Sequence, residues 1–129
     1  MMKVAGDHKD IGKRVRGVPM LADLSDAILR ECLLEDADLG QVVANRADFS
    51  KATGPYAIFE GADLSDARFE EGSYPCADFS ETRGSNLNFT GANLEAANFQ
   101  AAKVPGIIMK DALMTKFRGA NGADFTRGN

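Results

Sequence analysis

Three kinds of side chain in this sequence could do chemistry: one histidine, two cysteines and many carboxylates. A Ser-His-acid or Cys-His site needs a histidine beside its nucleophile. His8 stands among Asp7, Lys9 and Asp10, which suits a solvated surface residue. Zinc sites use three or four protein ligands. Cys32, Cys76 and His8 make a poor set, being few and widely spaced. GANGADF at 119–125 lacks both the lysine and the strand–helix setting of a phosphate loop. Carboxylates recur as Asp23/Asp63, Asp26/Asp66, Asp38/Asp78 and Glu60/Glu81. Acid–base catalysis asks for sheltered carboxylates with shifted pKa values, and calcium asks for clustered oxygens around a glycine turn. Neither arrangement is evident. No catalytic residue, cofactor-binding residue or metal ligand is assigned, and no cofactor is expected.

The elements that hold these groups follow from composition and spacing. The chain has 129 residues, 44% of them hydrophobic and 26% charged, enough for one domain with a real core. Its net charge is −4. That charge is unevenly placed. Residues 1–21 carry five bases against two acids, and residues 22–81 carry fourteen acids against four bases. Beyond them, residues 82–129 carry six bases against three acids. An acidic middle serves solubility first, and the overall acidity argues against direct nucleic-acid binding. No apolar run approaches a membrane span, so no membrane contact is expected. The N-terminus has no apolar signal-peptide region. A cytoplasmic location is therefore expected, or the thylakoid lumen or periplasm if a targeting peptide has been removed.

From Ala22 to Lys116 the chain repeats every five residues. Nineteen units keep one phase; the first residue is Ala in thirteen, and the third is Leu or Phe in twelve. Five is neither the helical 3.6 nor the strand 2, so this is a repeat architecture. Positions one and three of a short strand point the same way, inward, and position two points out. Positions four and five are rich in Ser, Glu, Asp, Gly and Pro, which are turn residues. Pro105-Gly106 suits a type II turn.

A longer period sits on top. Phe recurs at 49, 59, 69, 79, 89 and 99; Pro55 and Pro75 are twenty apart; ADLSDA occurs at 22 and 62. A four-sided coil of twenty residues explains all three. Phe49, Phe69 and Phe89 then stack on one side, and Phe59, Phe79 and Phe99 on the opposite one. The large interior positions are Leu24, Leu29, Leu34, Leu39, Phe49, Phe59, Leu64, Phe69, Tyr74, Phe79, Phe89, Leu94 and Phe99. The small ones are Ala22, Ala27, Cys32, Ala37, Ala47, Ala57, Ala62, Ala67, Ala77, Ala92 and Ala97. Val42 with Ala44, and Thr82 with Gly84, swap bulk within a unit, as close packing requires. Leu87 with Phe89 breaks that rule. Cys32 and Cys76 fall on one side two coils apart, about 9–10 Å along the axis. A disulfide needs Cα atoms within about 7 Å, so none is expected. Cys32 should be buried and Cys76 accessible.

ADLSD at 22–26 and 62–66, ADLGQ at 37–41, ADFSK at 47–51, ADFSE at 77–81, ANLEA at 92–96 and ANFQA at 97–101 resemble the pentapeptide-repeat family, whose consensus is A(D/N)LXX. The resemblance covers about residues 22–126. It implies an all-β fold, a right-handed quadrilateral parallel β-helix, with coils at about 22–41, 42–61, 62–81, 82–101 and 102–121. At about 4.8 Å per coil, five coils span roughly 24 Å.

Residues 1–21 fall outside the repeat. They are expected to be a cap over the first coil, through Val15, Val18, Met20 and Leu21, or a partly disordered segment. After Lys116 the phase slips by one residue, so a bulge near Gly119–Gly122 and a 127–129 tail are expected. Position two is apolar at Ile28, Leu33, Val43, Ile58, Ile108 and Leu113. Cover by the terminal segments and an interface patch both fit these residues. The unpaired edge of the last coil allows a homodimer through the C-terminal coil.

Two functions stay in view. The first is a non-enzymatic solenoid scaffold for an unknown protein partner. Its acidic surface would be Asp23, Asp26, Asp38, Glu60, Asp63, Asp66, Asp78 and Glu81. The second comes from the resemblance: family members of the quinolone-resistance type mimic duplex DNA and bind DNA gyrase. Against it, this chain is short, has basic ends and lacks the long dimer-forming extension of that type. The family abounds in cyanobacteria, and many of its members have no known role.

Overall fold

The computed structural model describes residues 22–119 and 122–126. The cap expected over 1–21, two residues of the C-terminal turn and the 127–129 tail lie outside the described residues. Each five-residue unit folds alike. Positions one to three are extended, with position two in a parallel bridge, and positions four and five turn a corner. Position five adopts a φ near +60°, as at Asp26 (64°), Lys51 (59°) and Cys76 (60°). Its neighbour's N–H closes the corner onto the position-three carbonyl, as in Ala27 to Leu24 and Ala62 to Phe59, both at 3.0 Å. A positive φ at the third turn residue with this closing bond is the type II pattern, and Gly106 (φ 75°) takes that place after Pro105. A left-handed residue with a Cβ costs about 1–2 kcal/mol. Pairing offsets it: the position-five N–H donates to the position-four carbonyl of the next coil, Asp26 to Asn45 at 2.9 Å.

Bridges link residues twenty apart and set four walls. Wall one carries the position-two column Asp23, Val43, Asp63, Arg83 and Lys103. Wall two carries Ile28, Asp48, Arg68, Asn88 and Ile108. Wall three carries Leu33, Thr53, Ser73, Asn93 and Leu113. Wall four carries Asp38, Ile58, Asp78, Asn98 and Arg118. The next bridge, Lys103 to Asp124, spans twenty-one residues. The extra residue of the phase slip is taken up between Arg118 and Asp124.

Every interior position named from the sequence is at most 1% exposed. Val42, Ala44, Ala52, Thr82, Leu87, Ala102, Val104 and Ile107 join them. The aromatic rings form two facing columns. Phe49, Phe69 and Phe89 stack at 4.9 and 4.7 Å on wall two. Phe59, Phe79 and Phe99 stack at 4.9 Å on wall four. Rings meet edge to face across the interior, as Phe59 and Phe69 do at 5.5 Å and 84°. Tyr74 fills wall three, and its hydroxyl donates to the Phe49 carbonyl at 3.0 Å. Burial pushes this phenol well above its ordinary pKa, so it stays a neutral donor. Glycines make its room: a Cβ at Gly54 or Gly72 would lie 2.9 or 2.5 Å from the ring.

Two places depart from the pattern. Leu87 occupies a small position, and the corner before it, 84–87, alone among the described corners lacks its closing bond. Gly84 there has φ 137°, and a Cβ would lie 2.5 Å from the Ser65 nitrogen. In the last coil bulk and space trade places. Phe117, at a small position, stacks on Phe99 at 5.0 Å, and Gly119 leaves the large position empty beside it.

Phe69 touches both columns and Tyr74. Phe69→Ala should therefore cost about 3–5 kcal/mol of unfolding free energy in a denaturant titration. A loss under about 1 kcal/mol, the effect of an exposed site, would contradict the interior assignment.

Candidate functional site

Among the described residues the carboxylates stand on the outer walls and corners, so their local bonding decides what they can do. The position-two aspartates and asparagines close the backbone. The N–H of position four is the one that no carbonyl of the coil reaches. It donates instead to the Oδ1 of position two: Ser50 to Asp48 at 2.9 Å, Ser80 to Asp78 at 2.9 Å, Glu95 to Asn93 at 2.9 Å. The same bond occurs at Asp23, Asp38, Asp63, Asn88, Asn98 and Asp124. This is an Asx turn, the local bond that short polar side chains favour. At Asp124 the Thr126 N–H holds the carboxyl below the usual carboxylate range. Where position two is Thr53, Ser73 or Lys103, position four is Pro55, Pro75 or Pro105, which has no N–H to satisfy. Sequence reasoning took position two as a solvated polar site. The missed signal was Asp or Asn at position two, followed two residues later by a residue that keeps its N–H, never by proline.

The eight acids proposed as a surface spread over two adjoining walls. Asp38, Glu60, Asp78 and Glu81 belong to wall four and the corner after it; Asp23, Asp26, Asp63 and Asp66 belong to wall one and the corner after that. Asp26 pairs with Arg46 through two hydrogen bonds, at 2.8 and 3.1 Å. The Asp26 partner, by hydrogen bond first and by charge second, raises the Arg46 pKa further. Asp66 accepts from Asn86 at 3.4 Å. No disulfide joins the two cysteines: Cys32 is buried and Cys76 exposed. Cys76 lies one coil from Tyr56, whose phenol titrates higher because it bonds to that thiol. Among the described residues no three His, Cys, Asp or Glu side chains are grouped to hold a metal ion. No helix of the described residues is long and apolar enough to cross a membrane.

Asp78 separates charge from geometry. Asp78→Asn keeps the acceptor and should change stability by less than about 0.5 kcal/mol, whereas Asp78→Ala should cost about 1 kcal/mol. Chemical denaturation of the two variants checks this. Equal losses would mean that charge, not the corner bond, is what the position supplies.

Comparison with known proteins agrees with this geometry. The family model for pentapeptide repeats matches residues 32–71, 62–100 and 76–111, as 8 copies. No curated protein matches the chain by sequence. Among solved structures, a pentapeptide repeat protein (Rfr23) from the cyanobacterium Cyanothece 51142 is 23% identical with a TM-score of 0.71. The match covers 75% of this chain and 66% of that one. A pentapeptide repeat protein from the Arabidopsis thaliana thylakoid lumen is 25% identical with a TM-score of 0.61, covering 92% of this chain and 65% of that one. QnrB1, a plasmid-mediated fluoroquinolone resistance protein, is 19% identical with a TM-score of 0.44, covering 98% of this chain and 73% of that one. The chain thus spans just under two thirds of the first two relatives' length. The family model covers the units that form the bridged, four-sided coil, and the chain belongs to the pentapeptide-repeat family.

Proposed function

We propose that the protein is a non-enzymatic scaffold that binds another protein through its outer walls. The observation that carries this is the filled interior. Every inward position from Ala22 to Phe99 except Gly84 is buried, rings and aliphatic groups pack there in contact, and the polar groups lie on flat walls. Enzymes hold reacting groups in a sheltered, pre-organised site, and a wall of short strands offers no such shelter. Flat walls with a regular array of side chains suit recognition of a second macromolecule.

Charge density weighs against duplex mimicry. B-DNA carries one charge per ~1.7 Å, about fourteen over ~24 Å. Residues 22–126 hold seventeen acids and nine bases, a net of eight negative charges. Several of those bases sit in ion pairs with the acids.

A photo-crosslinking residue placed at Arg83, Arg68, Thr53 or Ile58 samples the four walls in turn and leaves every Asx turn intact. In native lysate at least one wall should yield a discrete heavier adduct. Absence of an adduct from all four walls would contradict the scaffold reading.

A further inference from the structure

The walls differ in how their charges are answered. On walls one and two, opposite charges pair: Arg30 with Asp48 at 3.8 Å, Arg46 with Asp26 at 2.8 Å, Lys51 with Glu71 at 3.9 Å, Arg68 with Glu70 at 2.9 Å. Asp63 and Asp66 of wall one are in no ion pair among the described residues, but Arg83 and Lys103 stand in the same column as Asp63. Wall four has fewer bases. Asp38, Glu60, Asp78 and Glu81 are in no ion pair among the described residues, and the position-two column meets no base until Arg118.

Apolar exposure is just as uneven. Among the described residues five large hydrophobic side chains are exposed: Ile28, Leu33, Tyr56, Leu113 and Met114. Leu33 and Leu113 stand on wall three and Tyr56 on its corner with wall four, while Met114 takes an inward position of the last coil. Wall three also has no charge in its position-two column: Leu33, Thr53, Ser73, Asn93 and Leu113. Across residues 22–119, walls one and two with their corners hold nine acids and seven bases, whereas walls three and four with theirs hold seven acids and two bases.

We infer that walls three and four together form the docking face, and that the partner is a basic protein surface carrying apolar anchors. This rests on the scaffold reading above and deepens it. Complementary charge selects a cationic partner. Tyr56, 61% exposed, stands at the corner where the two walls meet. Its backbone is fixed by the corner (φ 60°). A large amphipathic ring is the kind of residue that dominates interface energetics. One wall offers about 24 Å of height and roughly 10 Å of strand width, about 240 Å²; two adjoining walls double this to about 480 Å², the size of a transient contact.

The probe is a peptide of alternating Lys and Leu about seven residues long, which spans ~24 Å at ~3.3 Å per residue. It is titrated into the full chain labelled with nitrogen-15. Amide shifts should concentrate at Thr53, Tyr56, Ser73, Cys76 and Asp78. The variant D38N/E60Q/D78N/E81Q keeps the two Asx acceptors, and an unchanged thermal midpoint verifies its fold. It should bind at least about tenfold more weakly, and a Lys–Ser peptide at least about fivefold more weakly. Shifts centred on Arg68 and Arg83, unchanged affinity in the variant, or equal affinity for the Lys–Ser peptide would each overturn the assignment. Failure of the scaffold reading looks different. Crosslinks from Arg68 or Arg83 with none from Thr53 or Ile58 would keep the scaffold and overturn the face alone. No crosslink from any wall would remove both.

Discussion

A backbone N–H taken out of water must find an acceptor, and each five-residue unit has up to five of them. The coil supplies four. Position one bonds within its own corner, position two bonds to the coil before, and positions three and five bond to the coil after, as Ala47, Asp48, Phe49 and Lys51 do. Position four is left over. Asp48 closes it at Ser50. Proline deletes the donor at 55, 75 and 105, and at Arg30 and Glu35 the corner is exposed, where water can serve. This one constraint explains why Asp and Asn interchange at position two, and why proline appears only where they do not.

The same bonds fix the rise, and the rise suits the core. Strands paired in parallel repeat at about 4.8 Å, and the Phe columns stack at 4.7–4.9 Å. Rings stacked at that distance need no adjustment of the backbone, and facing columns meet in the edge-to-face geometry that aromatic quadrupoles favour. Tyr74 is the one buried ring with a polar end, and it reaches a carbonyl one coil away. The interior is thus ordered by ring geometry, while the walls are free to vary. Wall variation is where the scaffold reading and the docking face both reside.

Much of the fold was legible because position in the unit decides direction. Leu24, Phe69 and Ala92 could be placed inside from phase alone, and the twenty-residue period put Phe49 over Phe69. Local exceptions were harder. Gly84 and Leu87 showed a volume mismatch in sequence, but the opened corner that resolves it depends on the approach of the Ser65 backbone. Phe117 sits at a position that reads as small, and only the empty Gly119 beside it lets the ring continue the stack. The walls were read least well. An aspartate such as Asp78 reads as surface charge until its bond to Ser80 is seen. Tyr56 falls at a turn position, so its exposure was hidden in a list of corner residues. Which acids meet bases depends on neighbours twenty residues away, as with Asp26 and Arg46.

The claim on which the rest depends is that position-two Asp and Asn close the backbone. Residue-resolved hydrogen exchange of the native chain tests it most directly. The position-four amides of Ser50, Ser80, Thr90, Glu95 and Gln100, which have Asx acceptors, should exchange about tenfold or more slowly than those of Arg30, Glu35, Glu60 and Lys110, after correction for intrinsic rates. Equal protection of the two groups would contradict the account.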